Sequence, residues 1–239
     1  MISVCMATYN GSLYLREQIN SILKQLSPTD ELIVSDDGST DETMDILAEY
    51  QDSRIKIYRN KAPHGVVMNF ENAINQSIGD YIFLSDQDDI WMPDKVKIMV
   101  QKLQSFDLVV SDAQLVNGEN MEIFPSFFGL RDSDRGFWKN MYKNTYLGCC
   151  IAFRKDILEY ILPFPKKIAM HDIWIGLCIE IFGSPLFLNK TLIQYRRHGR
   201  NTSSAGEKSN YKLGYQLSYR LYLLWSLMKR RMQKISFLK

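Results

Sequence analysis

The segment YIFLSDQDD at residues 81–89 decides the fold, because an apolar strand runs directly into a turn that carries three aspartates. Apolar runs of similar length occupy residues 2–7, 31–35, 54–58 and 108–111, and segments with helical periodicity lie between the runs. Such alternation is the signature of βαβ units. The sequence therefore predicts an α/β fold with a single Rossmann-like, mostly parallel sheet flanked by helices.

Charge is unevenly distributed along the 239 residues. The net charge is +2, but eight of the 29 Lys and Arg residues follow Glu207 without any acid, so the preceding part has a net charge of −6. An acidic body with this basic tail disfavours nucleic acid as a partner. The tail also has an apolar stripe at helical spacing, formed by Leu213, Leu217, Leu221, Leu224, Met228, Met232 and Ile235. Residues 206–239 are thus predicted to contain a basic amphipathic helix that binds a membrane surface, its own domain or a second subunit.

The cellular location is predicted from what the sequence lacks. The chain opens directly into an apolar strand rather than a basic leader, and it has no run of the roughly 20 apolar residues that a spanning helix needs. A cytoplasmic location is expected, with peripheral attachment to the inner face of the cell membrane if the tail binds lipid. Four cysteines without metal-site spacing are expected to be buried free thiols. The sequence does not predict the oligomeric state.

Polar clusters directly follow three of the predicted strands, and we expect them to meet in one crevice. Parallel sheets bind ligands beyond the carboxyl ends of their strands. Thr8, Tyr9 and Asn10 follow the first strand and are candidate nucleotide-binding residues. After the fourth strand, Asp86 and Asp88 could share a hard cation such as Mg²⁺ together with phosphate oxygens. Alternatively, this acidic turn is a solvated one in which an aspartate caps the next helix.

The aspartate pair after the second strand also has two interpretations. Asp37 or its neighbour Asp36 could accept the imide N–H of uracil or thymine, or the pair could simply cap a helix. The next residues resemble a capping box in which Ser39 and Glu42 pair across the first helical turn. The sequence has neither a Gly-x-Gly-x-x-Gly loop nor a Walker-type loop, which disfavours nicotinamide-dependent and ATP-hydrolysing enzymes.

Two further segments carry candidate catalytic groups. Asp172 precedes an apolar helical segment, where it could be the N-cap or a general base that the helix N-terminus keeps ionised at neutral pH. The later loop holds Arg196, Arg197, His198 and Arg200, which could clamp a departing diphosphate or could be a solvated loop.

Taken in order, these segments resemble family 2 glycosyltransferases. The resemblance rests on VCMATYNG at 4–11, SDDGSTD at 35–41, GDYIFLSDQDDIW at 79–91, MHD at 170–172 and YRRHGRN at 195–201, and it spans residues 1 to about 205. Several co-linear motifs are far more specific than any one of them. The forms of the last three motifs look most like the branch that contains bacterial rhamnosyltransferases of cell-surface polysaccharides, including a histidine where an acid often precedes the base.

The resemblance implies a glycosyltransferase A fold, Mg²⁺ or Mn²⁺, and an inverting single displacement on a nucleotide-diphosphate sugar. Carried over to this chain, it implies that Asp172 is the base and that the metal is bound at Asp88 with help from Asp86. His198 lies where the family's closing loop contacts metal or diphosphate. Nucleoside contacts would come from Thr8, Tyr9 and Asp37.

The predicted function is therefore transfer of a sugar from dTDP-rhamnose or a UDP-hexose to a glycan or lipid-linked glycan acceptor in bacterial surface polysaccharide synthesis. We expect a glycosyltransferase domain at 1–205, with a nucleotide-sugar-binding half at 1–112 and an acceptor-side half at 113–205. Two alternatives remain open. One is a catalytically inactive binding or scaffold subunit of a polysaccharide assembly complex, and the other is a sugar nucleotidyltransferase.

Overall fold

The computed structural model describes residues 1–61, 63–199, 201 and 213–237. Within these ranges, nine strands form one sheet. Their bounds are β1 Ile2–Thr8, β2 Glu31–Asp36, β3 Ile55–Arg59, β4 Tyr81–Ser85, β5 Ile90–Trp91, β6 Leu108–Val116, β7 Glu122–Phe124, β8 Ile151–Arg154 and β9 Pro185–Arg196. The first four predicted strands are β1 to β4, with ends that differ from the prediction by at most one residue, while β6 continues beyond the predicted end at 111.

The sheet is mostly parallel, as predicted. Its strands follow the order β3-β2-β1-β4-β8-β6-β9-β5, and β7 pairs with β6. Strands β3, β2, β1 and β4 are parallel to one another, β8 is antiparallel to both of its neighbours, and β6 and β9 are again parallel. Because β6 crosses residue 112, the sheet is continuous through the predicted division into two halves. Separate donor and acceptor halves stay a prediction.

The centre of the sheet is covered on both faces. In β1, β2 and β4 nearly every side chain is buried. Buried and exposed side chains do not alternate, as they would in a strand with one face exposed to solvent. Near-continuous apolar strands are typical of parallel sheets with helices on both sides. The helices are α1 Leu15–Leu23, α2 Thr43–Ala48, α3 Val66–Asn75, α4 Lys95–Leu103, α5 Phe127–Arg131, α6 Phe137–Tyr142, α7 Leu158–Ile161, α8 His171–Phe182 and α9 Leu213–Phe237.

The predicted capping box at the start of α2 does not form. Glu42 occupies the N-cap position and makes no side-chain capping bond. The hydroxyl of Ser39 instead donates to the carboxylate of Asp36, which lies at the end of β2. Asp41 satisfies the helix start, because its carboxylate accepts the backbone N–H of Thr43 (3.0 Å). The Ser39 hydroxyl also accepts the backbone N–H of Asn10 (2.9 Å), so bonds to the loops after β1 and β2 replace the pairing that the sequence pattern suggests.

Two other predictions concern features outside the sheet. The four cysteines are buried and free, as expected: Cys5, Cys149, Cys150 and Cys178. Among the described residues, every helix is too short or too polar to cross a bilayer.

Candidate active site

The loops that follow three parallel strands meet at one edge of the sheet. The β1 end at Thr8 pairs with the β2 end at Asp36, and β4 lies on the other side of β1. These loops line a cleft of about 780 Å³ together with segments 147–148 and 170–172. Six of the predicted site residues line this cleft: Thr8, Tyr9, Asp37, Asp86, Asp88 and Asp172.

Three other predicted residues that the structure describes, Asn10, Arg197 and His198, are not among the residues that line the cleft. Asn10 has a left-handed backbone (φ 49°), and its side-chain carbonyl accepts the backbone N–H of Thr40 (2.8 Å), so it ties two loops together. Arg197 donates its backbone N–H to the carbonyl of Val116 (2.7 Å) and extends the contact between β6 and β9. Arg200 lies outside the described residues. The roles of Arg197 and Arg200 in diphosphate binding stay predictions.

Arg196 is a structural residue, and the prediction that it belongs to a diphosphate-binding loop is wrong. It ends β9 and is fully buried. Its guanidinium lies 4.1 Å from the centroid of the Tyr14 ring and donates to the Glu17 carboxylate (2.5 Å) and to the side-chain carbonyl of Asn120 (2.6 Å). A buried arginine that stacks on Tyr14 and donates two hydrogen bonds through Nη2 fixes the end of β9.

Asp37 organises the part of the cleft that is predicted to bind the nucleoside. Its carboxylate accepts the side-chain amide of Asn60 (2.8 Å) and the backbone N–H of Gly65 (2.7 Å), and it contacts Nδ1 of His64 (3.0 Å). The neighbouring Asp36 is buried and closes the loop after β2 by accepting two backbone N–H groups. Neither aspartate therefore caps α2: Asp36 closes the turn after β2, while Asp37 lines the cleft and shapes the loop after β3.

The acidic turn and the loop after β1 are clamped together by Gln87. Its Oε1 accepts the backbone N–H of Tyr9 (2.8 Å), and its Nε2 donates to the carbonyl of the same residue (3.0 Å). A Cβ on Gly11 would overlap the Gln87 amide, so only glycine allows this approach. The predicted nucleotide-binding and metal-binding loops are thus one connected structure.

Asp88 and His198 are brought together across more than a hundred residues of sequence. Asp88 Oδ2 lies 2.7 Å from His198 Nε2 and 3.3 Å from the side-chain nitrogen of Asn201. Asn201 in turn accepts the backbone N–H of His198 (2.6 Å). Tyr14 packs beside the imidazole, with ring centroids 5.1 Å apart. The contact confirms that the loop after β9 returns to the acidic turn.

Asp86 carries negative charge that its surroundings do not neutralise. The pKa of this carboxyl is raised to about 7, mainly because burial limits its hydration and to a smaller extent because Asp88 and Asp172 carry nearby negative charges. Like charges that share a site disfavour each other's ionised form. A bound cation would remove this penalty, so the environment of Asp86 fits the predicted metal site.

The sequence suggests that an aspartate of the acidic turn caps the next helix, but Asp89 has a different role in the structure. It is fully buried, and its carboxylate accepts the backbone N–H of Arg196 (3.0 Å), which anchors the end of β9. Asp94 is the N-cap residue of α4, although its side chain makes no capping bond. Burial and the charges of Asp88 and Asp86 raise the pKa of Asp89 well above its usual range.

Two overlapping sets of side chains could hold a metal, and the donor chemistry favours one. Asp86, Asp89 and Cys149 have ligand atoms within 4.8 Å of one another. However, burial raises the pKa of the Cys149 thiol well above its usual range, and Mg²⁺ and Mn²⁺ prefer oxygen to sulfur. Asp86 and Asp88 both line the cleft and offer carboxylate oxygens. The residues present therefore fit a hard divalent cation on the open side of the turn, with His198 adjacent.

Asp172 also lines the cleft and lies in the first turn of α8. Met170 occupies the N-cap position, so the prediction of Asp172 as the N-cap is wrong. The carboxylate accepts the backbone N–H of Ile173 and the side-chain amide of Asn144 (3.2 Å). Burial raises its pKa to about 7 despite these two hydrogen bonds. The expectation that Asp172 is fully ionised at neutral pH is therefore also wrong, because loss of hydration outweighs the favourable effect of the helix N-terminus.

His171, next to Asp172, is a neutral buried imidazole. It stacks on Phe70 with ring centroids 4.0 Å apart, and neither ring nitrogen has a hydrogen-bond partner within the described part of the chain. Burial lowers its pKa to about 3. A Cβ on Gly148 would overlap the imidazole, so the turn at 148–150 approaches His171 closely. The residue thus places no positive charge beside Asp172.

Sequence reasoning missed several residues of the cleft. Arg59, His64 and Gly65 form part of the wall, and they follow the end of β3, so the strand-end argument applied to a fourth strand would have found them. Asn69 and Asn144 left no such signal. Asn69 is in α3 and donates to the carbonyl of Thr8 (3.1 Å), a contact between distant segments that no local pattern encodes.

Comparison with solved structures identifies the fold. The crystal structure of S. aureus TarS 1-349 in complex with UDP-GlcNAc matches with a TM-score of 0.68 at 18% sequence identity, covering 97% of this chain and 72% of that one. The sheet and its flanking helices form the glycosyltransferase A fold, as the sequence resemblance implied. At this level of identity the similarity concerns the fold alone.

Sequence comparison identifies the family. The family model described as "Glycosyl transferase family 2" matches residues 3–162. The dTDP-rhamnosyl transferase RfbG of Shigella flexneri is 36% identical over 231 residues, which cover 88% of this chain and 77% of RfbG. The putative teichuronic acid biosynthesis glycosyltransferase TuaG of Bacillus subtilis is 26% identical, over 85% of this chain and 82% of TuaG. The chain spans 66% of the length of two other matched glycosyltransferases. A family match over more than half of the sequence shows that the chain belongs to glycosyl transferase family 2, whose enzymes are transferases of the EC 2.4 class.

Proposed function

We propose that the chain is an inverting glycosyltransferase that moves a sugar from a nucleotide-diphosphate donor to a glycan or lipid-linked glycan acceptor. The donor is dTDP-rhamnose or a UDP-hexose. Similarity to RfbG, named as a dTDP-rhamnosyl transferase, supports the first, and the fold shared with TarS in complex with UDP-GlcNAc is compatible with the second. The name of TuaG, a putative teichuronic acid biosynthesis glycosyltransferase, supports a role in bacterial surface polysaccharide synthesis.

The observation that carries this proposal is that Asp172 lines the same cleft as the two loops that would bind the donor, close enough for its charge to raise the pKa of Asp86. Asp37 and the loop after β1 would contact the nucleoside, and Asp86 with Asp88 would lie beside the diphosphate. A base must lie on the acceptor side of the reacting carbon for direct inversion. A carboxyl whose pKa is about 7 is well matched to proton transfer at neutral pH.

The proposed reaction forms one bond and breaks one bond. The acceptor hydroxyl oxygen attacks the anomeric carbon, the bond from that carbon to the diphosphate oxygen breaks, and Asp172 takes the hydroxyl proton. Asn144 would hold the carboxylate in position, since its amide donates to it (3.2 Å). Mg²⁺ or Mn²⁺, when bound, would neutralise charge that grows on the departing diphosphate. We assign its binding to Asp88 and Asp86, with His198 beside them.

The test replaces Asp172 with asparagine and measures transfer and donor binding separately. We expect turnover to fall about a hundredfold or more, because the proton acceptor is lost. Donor binding, measured as a thermal shift with the nucleotide sugar and Mn²⁺, is expected to stay within about twofold of wild type because the proposed donor contacts come from the loops after β1, β2 and β4 and not from Asp172. Asp94→Asn, which removes a carboxyl outside the cleft, is the control. Turnover close to wild type in Asp172→Asn would remove this residue from the role of base.

The same assay separates the donor candidates and the alternatives. A thermal-shift screen of nucleoside diphosphates with Mn²⁺ would distinguish dTDP from UDP, which differ at a 5-methyl group and a 2′-hydroxyl. Hydrolysis of the matching sugar donor would exclude an inactive scaffold subunit. A lipid-linked acceptor would place the enzyme at the inner face of the cell membrane, as a cytoplasmic protein bound peripherally.

A further inference from the structure

The C-terminal helix α9 presents an apolar face to solvent rather than to the protein. Five large side chains on this face are each more than half exposed, between 55% and 67%: Leu217, Leu221, Trp225, Met228 and Met232. At about 100° per residue they fall within one stripe less than a third of the helix circumference wide. The predicted apolar stripe is therefore real, but the part that the structure describes is directed largely outward.

The opposite face of α9 is fixed to the body of the protein. Leu223 and Leu227 are buried, and the guanidinium of Arg230 donates to three backbone carbonyls of the segment 160–163 at 2.6–2.7 Å. Arg230 also lies 5.3 Å from the centroid of the Trp174 ring in α8. Rotation of the helix to bury the outward stripe would break these contacts. The outward direction of the stripe is therefore a property of the folded chain.

The charged residues of α9 indicate which kind of surface its outward face can bind. The helix α9 contains five Lys and Arg residues and no Asp or Glu. Lys229 and Arg231 are exposed and lie on either side of the apolar stripe. Apolar side chains between basic ones are the pattern of helices that lie in the interface of a bilayer with anionic lipids. The α9 helix of a second copy would offer no acidic side chain to pair with these cations, because the helix contains none.

We propose that the outward face of α9 binds the surface of an anionic lipid bilayer, with the helix axis parallel to the membrane plane. The stripe from Leu217 to Met232 is about 22 Å long at 1.5 Å per residue, which suits a helix lying in the interface. Trp225 lies near the middle of the stripe, and amphipathic aromatic rings favour the headgroup level. The proposal deepens the proposed function, because the acceptor it would bring within reach is lipid-linked.

Vesicle sedimentation of the full chain tests the proposal without any donor or acceptor. Wild type is expected to sediment with vesicles of phosphatidylcholine and phosphatidylglycerol and to remain in solution with phosphatidylcholine alone. The apolar variant Leu221→Ser/Met228→Ser is expected to lose at least about 90% of this binding, since each buried large side chain contributes strongly to partitioning. The control variant Met121→Ser/Ile123→Ser removes two other exposed apolar side chains and is expected to bind like wild type.

A charge variant tests the second half of the argument. Lys229→Gln/Arg231→Gln is expected to weaken binding roughly 5-fold to 30-fold, because each basic residue near an anionic surface contributes about a fivefold factor. Lys97→Gln, an exposed lysine in α4, is the control. All of these side chains are exposed, so the variants are expected to fold, and circular dichroism would verify this.

Two outcomes would overturn the proposal. One is wild type that does not sediment with the anionic vesicles, or Leu221→Ser/Met228→Ser that sediments equally well. The other is a dimer by light scattering that becomes monomeric in the apolar variant, with no vesicle binding by wild type. Donor hydrolysis in detergent-free buffer is measured in parallel. Vesicle binding without donor hydrolysis would contradict the proposed function while leaving the membrane surface supported.

Discussion

Replacing Asp172 with asparagine is expected to stabilise the metal-free protein at neutral and alkaline pH, even though it removes the proposed base. Burial raises the pKa of this carboxyl from 3.8 to about 7 in the folded protein. A raised pKa means that the folded state holds a proton that the unfolded chain has already released. The contribution to stability is therefore fully present below about pH 4 and is lost as the pH rises to about 7.

The expected magnitude follows from the size of the pKa shift. About three pKa units correspond to about 4 kcal/mol at 1.36 kcal/mol per unit, and Asp172 is buried enough for most of this to apply. Between about pH 5 and about pH 8 the wild type should lose about 3 kcal/mol relative to Asp172→Asn. The substitution also removes one of the charges that raise the pKa of Asp86, which acts in the same direction.

Urea unfolding at several pH values, with a chelator present, measures this effect. The free energy of unfolding of Asp172→Asn is compared with that of wild type and of the control Asp94→Asn. The reasoning is refuted if the difference between wild type and Asp172→Asn is constant across the pH range. A variant less stable than wild type at about pH 8 would refute it equally, because the buried charge would then not be a cost.

Two other substitutions test the structure of the cleft. Gly11→Ala is expected to destabilise the protein by about 1–3 kcal/mol, because its Cβ would overlap the side-chain amide of Gln87. Gly199→Ala has open space around the new Cβ and should have little effect. Thermal unfolding would compare the two variants, and equal melting temperatures would contradict the clamp made by Gln87. His198→Ala is expected to raise the Mn²⁺ concentration for half-maximal donor turnover about tenfold to a hundredfold, because this imidazole lies 2.7 Å from Asp88. An unchanged metal titration would exclude His198 from the site.

The sheet and the location of the cleft could be predicted because they depend on features that act over a few residues. Uninterrupted apolar runs such as that at 81–85 identify buried parallel strands, and polar residues after them identify the ligand-binding edge. Thr8, Asp37 and Asp88 could be named as cleft residues on that basis. The same rule applied after β3 would have added His64.

The errors have a shared physical origin in contacts between distant segments. Ser39 has the sequence context of a capping residue, but its hydroxyl accepts the backbone N–H of Asn10 in the loop after β1 and donates to the nearby carboxylate of Asp36. Arg196 follows a strand and precedes a basic loop, yet the ring of Tyr14 buries it. For Asp172, helix position favours ionisation, while burial, which the sequence does not reveal, opposes it more strongly. Local sequence patterns limit the roles that a side chain can have, and its contacts with distant segments determine which of these roles it takes.

One helix connects the proposed base with the proposed membrane surface. Asp172 and Trp174 lie in the first turn of α8, and the guanidinium of Arg230 in α9 packs over the Trp174 ring. The start of α8 is buried, and close packing holds neighbouring helices at fixed positions relative to one another. If the outward face of α9 lies on a bilayer, α8 is therefore held at a fixed height above it. The cleft would then be oriented by the membrane itself, so that a lipid-linked acceptor meets Asp172 without a separate docking step.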